Sequence, residues 1–203
     1  PVPLPRRMWA GGAVSSYAPL VVGEQVTRRS TIRDVSWKAG ATGKLCFVKV
    51  AHAYEQAGVL CISEIHDIVY RGDGAIKRPP PDRMDRADFH TFWEVPISTT
   101  TLFRYSAMTF NGHRIHYDLP HATQTEGYDG LVIHGPLQAT ILLNLASHVL
   151  GVTPAQFDYR GLAPATGAQT MGFGAVLTEV GCKVTALNAK GQPTMRAVAI
   201  ADR

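Results

Sequence analysis

The stretch HGPLQATILLNLASHVLG, residues 134–151, reads as a helix whose two ends are both encoded. Pro136 is preset for the first helical turn and lacks the amide that would go unpaired there, while Gly151 suits the position just past the end. Between them Leu137, Ile141, Leu142, Leu145, Ala146 and Val149 spread apolar atoms over most of the circumference, which predicts a helix enclosed by protein. The flanking sequence supplies the enclosure. Alternating, β-branched-rich runs at 157–162, 170–180, 182–188 and 194–201 follow it, with Lys190-Gly191 as a hairpin turn, so a strand meander wraps the helix.

The same grammar occurs earlier without a helix. Runs at 26–35, 45–54 and 59–70 predict three long antiparallel strands with turns at 38–43 and at Gln56-Ala57-Gly58. The stretch Lys77-Arg78-Pro79-Pro80-Pro81-Asp82-Arg83 then breaks the ladder, because proline has no amide to donate. A weak internal repeat sets Tyr17-Ala18-Pro19-Leu20 beside Tyr159-Arg160-Gly161-Leu162, each ahead of a meander. These signals predict an N-terminal half at 1–71, a linker at 72–91 and a C-terminal half at 92–203 that opens on Phe92-Trp93-Glu94-Val95. Only about sixteen residues precede the first landmark, too few for a helix like that at 137–150, so an N-terminal segment carrying it is expected to be missing from this chain.

With 203 residues, 45% of them hydrophobic and 18% charged, the chain has the material for a folded core and is unlike a disordered one. No apolar run approaches the roughly 18 residues of a membrane span, and the first residues lack the apolar core of a signal peptide, so no membrane partner and a cytoplasmic location are expected. The net charge of +4 suits an anionic partner. Its arginines are scattered, with only Arg6-Arg7 and Arg28-Arg29 adjacent and no interleaved aromatics, so nucleic acid is not expected. Cys46, Cys61 and Cys182 are odd in number, lack CxxC spacing and lie in strand-like patterns, which reads as buried free thiols.

The densest polar segment is Thr109-Phe110-Asn111-Gly112-His113-Arg114-Ile115-His116-Tyr117-Asp118, followed by Gly130-Leu131-Val132-Ile133-His134-Gly135-Pro136. The first resembles the Ser-Gly-Asp-x-Asn-Pro-Ile-His fingerprint of MaoC-like and (R)-specific enoyl-CoA hydratases, and the second resembles their His-Gly turn into a central helix. In full context both look most like the subgroup of mesaconyl-CoA and itaconyl-CoA hydratases and mitochondrial-type 3-hydroxyacyl-thioester dehydratases. The resemblance spans nearly the whole chain, PLPRRMWAGG and HDIVYR included. It implies an α+β double hotdog, two antiparallel sheets each curled around a helix, with a first half that has lost its catalytic residues. It also implies an acyl-CoA substrate, a homo-oligomer, no metal, and no cofactor beyond the CoA carried by the substrate.

Aligned on its last histidine, the fingerprint puts His116 on the family's catalytic histidine and Asn111 on its aspartate, with Arg114 in place of the proline and His113 in place of the asparagine. An amide cannot take up a proton as a carboxylate does, so Asn111 can orient water or imidazole and not act as base. Hydration of a conjugated double bond needs a proton removed and a proton delivered, and one histidine can serve both. The developing enolate needs preorganised donors, for which the start of the 136–150 helix is suited. Gly135 is the candidate donor, since Pro136 has no amide and glycine admits close approach. His113 and His134 are candidates for lining the substrate, against a surface position for the first and a helix-start role for the second. Arg104, Arg114 and Arg160 are candidate cations for a CoA phosphate or a dicarboxylic acyl group, against pairing with protein carboxylates. Asp118 is a loop or ion-pairing residue, or a substitute for the lost carboxylate. His113, His116, His121 and His134 together raise a metal site, but no HExxH or cysteine pair accompanies them and none is expected. No GxSxG elbow, GxGxxG or P-loop occurs.

Overall fold

The computed structural model describes residues 2–40, 43–72 and 81–201. Its strands in chain order are β1 Arg6–Ser16, β2 Thr27–Gly40, β3 Gly43–Gln56, β4 Val59–Arg71, β5 Thr91–Ile97, β6 Gln156–Gly161, β7 Gln169–Thr178, β8 Gly181–Leu187 and β9 Pro193–Ile200. Two helices, α1 Thr99–Met108 and α2 Gly135–Leu150, fall between β5 and β6. All the strands join one antiparallel sheet in the order β2-β3-β4-β1-β6-β9-β8-β7-β5. The order reads as two copies of one unit meeting back to back: β1-β2-β3-β4 corresponds to β6-β7-β8-β9, and the seam is β1 against β6.

The predicted helix and its enclosure are both present. α2 carries Pro136 in its first turn and ends at Gly151, whose φ of 71° is left-handed. It packs on β6, β7, β8 and β9. Leu142, Leu145 and Ala146 of α2 meet Met171, Phe173, Val184 and Ala186 in a core with all solvent excluded. Each such large side chain contributes about 2 kcal/mol by leaving water. The first half is barer. Along β2 Ile32, Val35 and Trp37 are each more than half exposed, and the described helices pack on the second half.

Two elements depart from the sequence reading. The first half has four strands, the additional one being β1, which the glycine-rich Ala10-Gly11-Gly12-Ala13 conceals from a propensity argument. Those glycines are what the seam requires. A Cβ on Gly11 would stand 2.6 Å from the Tyr159 carbonyl oxygen, and one on Gly12 would run into the Ile65 carbonyl and the Tyr159 ring. The second departure is α1, capped by Ser98, whose hydroxyl accepts from the Thr101 amide at 3.1 Å. The predicted turn at 38–43 lies partly, and the triproline of the predicted linker mostly, outside the described residues. All three cysteines are buried and free, and no helix among the described residues is long and apolar enough to cross a membrane.

Candidate active site

His116 lies in a single 3-10 turn, Arg114–His116, which the chain reaches from α1 through a tight reversal. Phe110 takes a left-handed φ of 51°, Asn111 N-H donates to the Ser106 carbonyl at 2.9 Å, and Asn111 Oδ1 accepts from His113 N-H at 3.1 Å. The asparagine therefore shapes the loop that presents His116, as a short side-chain carbonyl does in an Asx turn. From the other side, residues 131–133 clamp the turn. Val132 N-H donates to Ile115 O at 2.9 Å, and Ile133 N-H to Ala165 O at 2.8 Å.

The imidazole of His116 is buried, with Nδ1 2.7 Å from the Val132 carbonyl oxygen. That oxygen only accepts, so Nδ1 must carry the hydrogen and Nε2 of the neutral ring is left as a proton acceptor. Burial, opposed in part by this hydrogen bond and reinforced by His113, pulls its pKa down to about 4. The neutral ring is thus the resting form at physiological pH.

His134 stacks on His116, centroids 3.7 Å apart and planes 15° from parallel. It caps the N-terminus of α2, is wholly buried, and shares a 2.9 Å hydrogen bond between Nε2 and Ser106 Oγ of α1. Burial first, then the neighbouring His116, drives its pKa down to about 3. Its Nδ1 is buried and has no hydrogen-bond partner among the described residues. Such an orphan costs about 1–3 kcal/mol and is retained where the surroundings over-determine it.

Gly135 follows His134 as the first residue of α2, where backbone amides point outward unpaired and the helix dipole favours negative charge. A Cβ there would stand 2.8 Å from the Trp9 ring. Trp9, from the seam strand β1, in turn stacks on Tyr159 of β6 at 4.7 Å. Arg6 of β1 pairs with Glu126 and donates to the Thr125 carbonyl at 2.9 Å, tying the first half to the loops around His116. The histidine pair and the α2 N-terminus therefore sit where the two halves meet.

The structure brings His116, His134 and Gly135 together, and places Asn111 and His113 in the loop that carries His116, with His113 exposed and its ring 5.6 Å from that of His116. Arg114 is committed to Asp118, its Nε and an Nη donating to Asp118 Oδ2 at 2.9 and 2.6 Å. Asp118 Oδ1 accepts from the His121 amide, and this bond followed by those from Arg114 holds the carboxyl below its ordinary range. That leaves Asp118 poorly placed as a replacement base. Arg104 projects from α1 and Arg160 from β6, both exposed. Sequence reasoning missed Ser106, Trp9 and the Val132 carbonyl, whose partners lie far away along the chain and which no local pattern marks.

A sheet curled on a buried helix, with a buried neutral histidine beside that helix's N-terminus, defines a hotdog protein with a candidate acid/base residue at the seam of its two halves. The chain belongs to the hydroxyacyl-thioester dehydratase type 2 family, whose model matches residues 1–167. It is 45% identical over 165 residues to the mesaconyl-C(4)-CoA hydratase of Chloroflexus aurantiacus, an alignment covering 81% of this chain and 59% of that protein. The chain thus spans about three fifths of that relative's length. HtdX of Mycobacterium tuberculosis superimposes with a TM-score of 0.77 at 18% identity over 96% of this chain and 76% of its own. Another Mycobacterium tuberculosis protein, described as a double hotdog, gives 0.61 at 9% identity over 95% and 74%. The fold is an α+β double hotdog.

Proposed function

We propose that this chain carries the catalytic half of a hydro-lyase that adds water to, or removes it from, a short or branched enoyl-CoA of the mesaconyl type. The observation that carries this reading is His116, held neutral with Nδ1 donating to Val132 O and Nε2 free beside the start of α2. In hydration, Nε2 removes a proton from water, the hydroxide adds to the β-carbon, and the double-bond electrons pass to the thioester oxygen as an enolate. The Gly135 amide donates to that oxygen, and the imidazolium returns its proton to the α-carbon, restoring neutral His116. Asn111 holds the approaching water or the ring through its amide. The likeness to a mesaconyl-C(4)-CoA hydratase supports the dicarboxylic acyl class. The family description supports a second reading, a 3-hydroxyacyl-thioester dehydratase of fatty-acid type. With either substrate the protein works in the cytoplasm as a homo-oligomer, with CoA entering as part of the substrate.

Turnover of crotonyl-CoA, longer enoyl-CoAs and mesaconyl-CoA, followed by loss of enoyl-thioester absorbance, tests the proposal. Preference for mesaconyl-CoA supports the first reading and preference for long chains the second. His116→Ala is expected to lower turnover by about 100- to 10,000-fold with the fold intact. A folded variant of near-full activity would refute the assignment, and wild-type protein that binds acyl-CoA without turning it over would make this a binding module.

A further inference from the structure

A second polar cluster stands apart from the His116–His134 pair, on the first half of the sheet. His52 of β3 and Glu64 of β4 are direct cross-strand partners, and His66 follows two residues after Glu64 on the same face. One donor atom from each of the three lies within 4.8 Å of the others, and all three residues are half-buried. His66 Nε2 is 2.6 Å from Glu64 Oε1, and the two imidazoles meet edge to face at 4.7 Å and 70°.

The outward atoms of the cluster are already held. Ser30 Oγ contacts His52 Nδ1 at 2.8 Å, which orients the ring and leaves Nε2 to face its neighbours. The Tyr54 hydroxyl donates to Glu64 Oε2 at 3.0 Å, leaving Oε1 turned to the histidines. Trp9 packs edge-on against His66 at 6.3 Å. Outer hydroxyls that fix the tautomer and direction of inner imidazole and carboxylate atoms are the usual support of a metal site.

We infer that His52, Glu64 and His66 bind one divalent transition-metal cation of the zinc class, through His52 Nε2, His66 Nε2 and Glu64 Oε1. Two imidazoles and one carboxylate suit zinc, cobalt or nickel, whereas calcium and magnesium take oxygen ligands alone. Metal-ligand bonds near 2.1 Å in a tetrahedral site put ligand atoms roughly 3.3 Å apart. The 2.6 Å His66–Glu64 contact then opens by about 0.7 Å, and the widest separation, at most 4.8 Å, closes by up to about 1.5 Å, which side-chain rotations supply with both strands in place. The cation cross-links β3 and β4 in the half of the sheet farther from α2. This inference is independent of the reaction assigned to His116.

The test uses the full chain without an affinity tag, stripped with a chelator and titrated with Co2+. One equivalent is expected to bind, with the intense visible absorption of a tetrahedral N/O site and quenching of tryptophan fluorescence, and Zn2+ is expected to displace it. Melting temperature rises on loading. His52→Ala and His66→Ala each weaken binding at least about tenfold, as does removal of any primary ligand where even supporting groups are worth 10- to 100-fold. His116→Ala binds Co2+ as wild type does. The quenching is expected to be largely lost in Trp9→Phe, which leaves every ligand intact and so reports the location even where a histidine variant folds poorly. Absence of Co2+ binding at micromolar concentration, undiminished binding in a folded His52/His66 double variant, or quenching that Trp9→Phe leaves unchanged overturns the inference. So do cluster variants that raise KM for acyl-CoA while the wild type takes up no cation, since the cluster then belongs to the acyl pocket.

Discussion

The protonation of His116 is fixed by a neighbour that has no proton to give. Because the Val132 carbonyl can only accept, the ring nitrogen facing it is the protonated one, and the reactive nitrogen is the other. A free histidine loses this basic form below about pH 6.5, but His116 keeps it down to about 4. The acid limb of kcat/KM is therefore expected near pH 4 to 5, well below an ordinary histidine, and a limb at 6.5 or above in the wild type would contradict the buried geometry. Asn111→Asp puts a carboxylate into the same loop and raises the His116 pKa, so the limb moves toward neutrality; an active variant with an unchanged profile removes Asn111 from the site. The histidines at 116 and 134 and the glycine at 135 were legible because chemistry and a motif single them out. Ser106, 28 residues from His134 along the chain, was not, since a serine inside a helix says nothing of the distant ring it meets. Arg114 was open between substrate and protein, and the structure shows it paired with Asp118, four residues on, its side chain still exposed.

Helix α2 was readable to its ends because each end carries a residue with a backbone reason to be there: Pro136 inside the start, Gly151 beyond the finish. Strand β1 and helix α1 were not. β1 is built from small residues chosen for closeness to β4 and β6, so its pairing partners, not its own propensities, make it a strand. α1 reads Thr99-Thr100-Thr101 at its start, poor helix formers of which Thr101 completes the cap by accepting from the Ser98 amide through its hydroxyl. The contact between elements that bears most on the site is Trp9 against Gly135. Gly135→Ala adds a methyl 2.8 Å from the indole of a strand locked on both sides, and is expected to destabilise the fold by about 1–3 kcal/mol. Pairing it with Trp9→Leu makes room and restores most of that loss in a urea titration. Full additivity of the two changes would mean that the ring and the helix start do not press on one another.

The twofold reading of the chain, meander and meander with one helix wrapped, carried through to a continuous sheet in which β1-β2-β3-β4 mirrors β6-β7-β8-β9 across one seam. What a sequence pattern could not give was the position of the seam, because the β1–β6 pairing joins residues 141 to 149 apart along the chain, from Ser15 with Gln156 to Gly11 with Arg160. At that seam the molecule keeps two neutral imidazoles in contact, and this has a consequence for the entire fold. In the unfolded chain both histidines titrate near 6.5, whereas in the folded chain they titrate at about 4 and about 3. Between those values the unfolded state holds more protons than the folded one, so stability rises with pH across the window and is lost as pH falls through it. The contribution is complete above about 6.5 and declines toward 4, and for His116 alone it is on the order of 3 kcal/mol. Urea midpoints are therefore expected to drop steeply from pH 7 to pH 4.5. Replacing His134 by Gln keeps a polar partner for Ser106 and removes one of the two titrations, so the same series in that variant is expected to fall less, even if its stability at pH 7 is lower. A slope equal to that of the wild type would show that the stacked pair is not what makes this fold sensitive to acid.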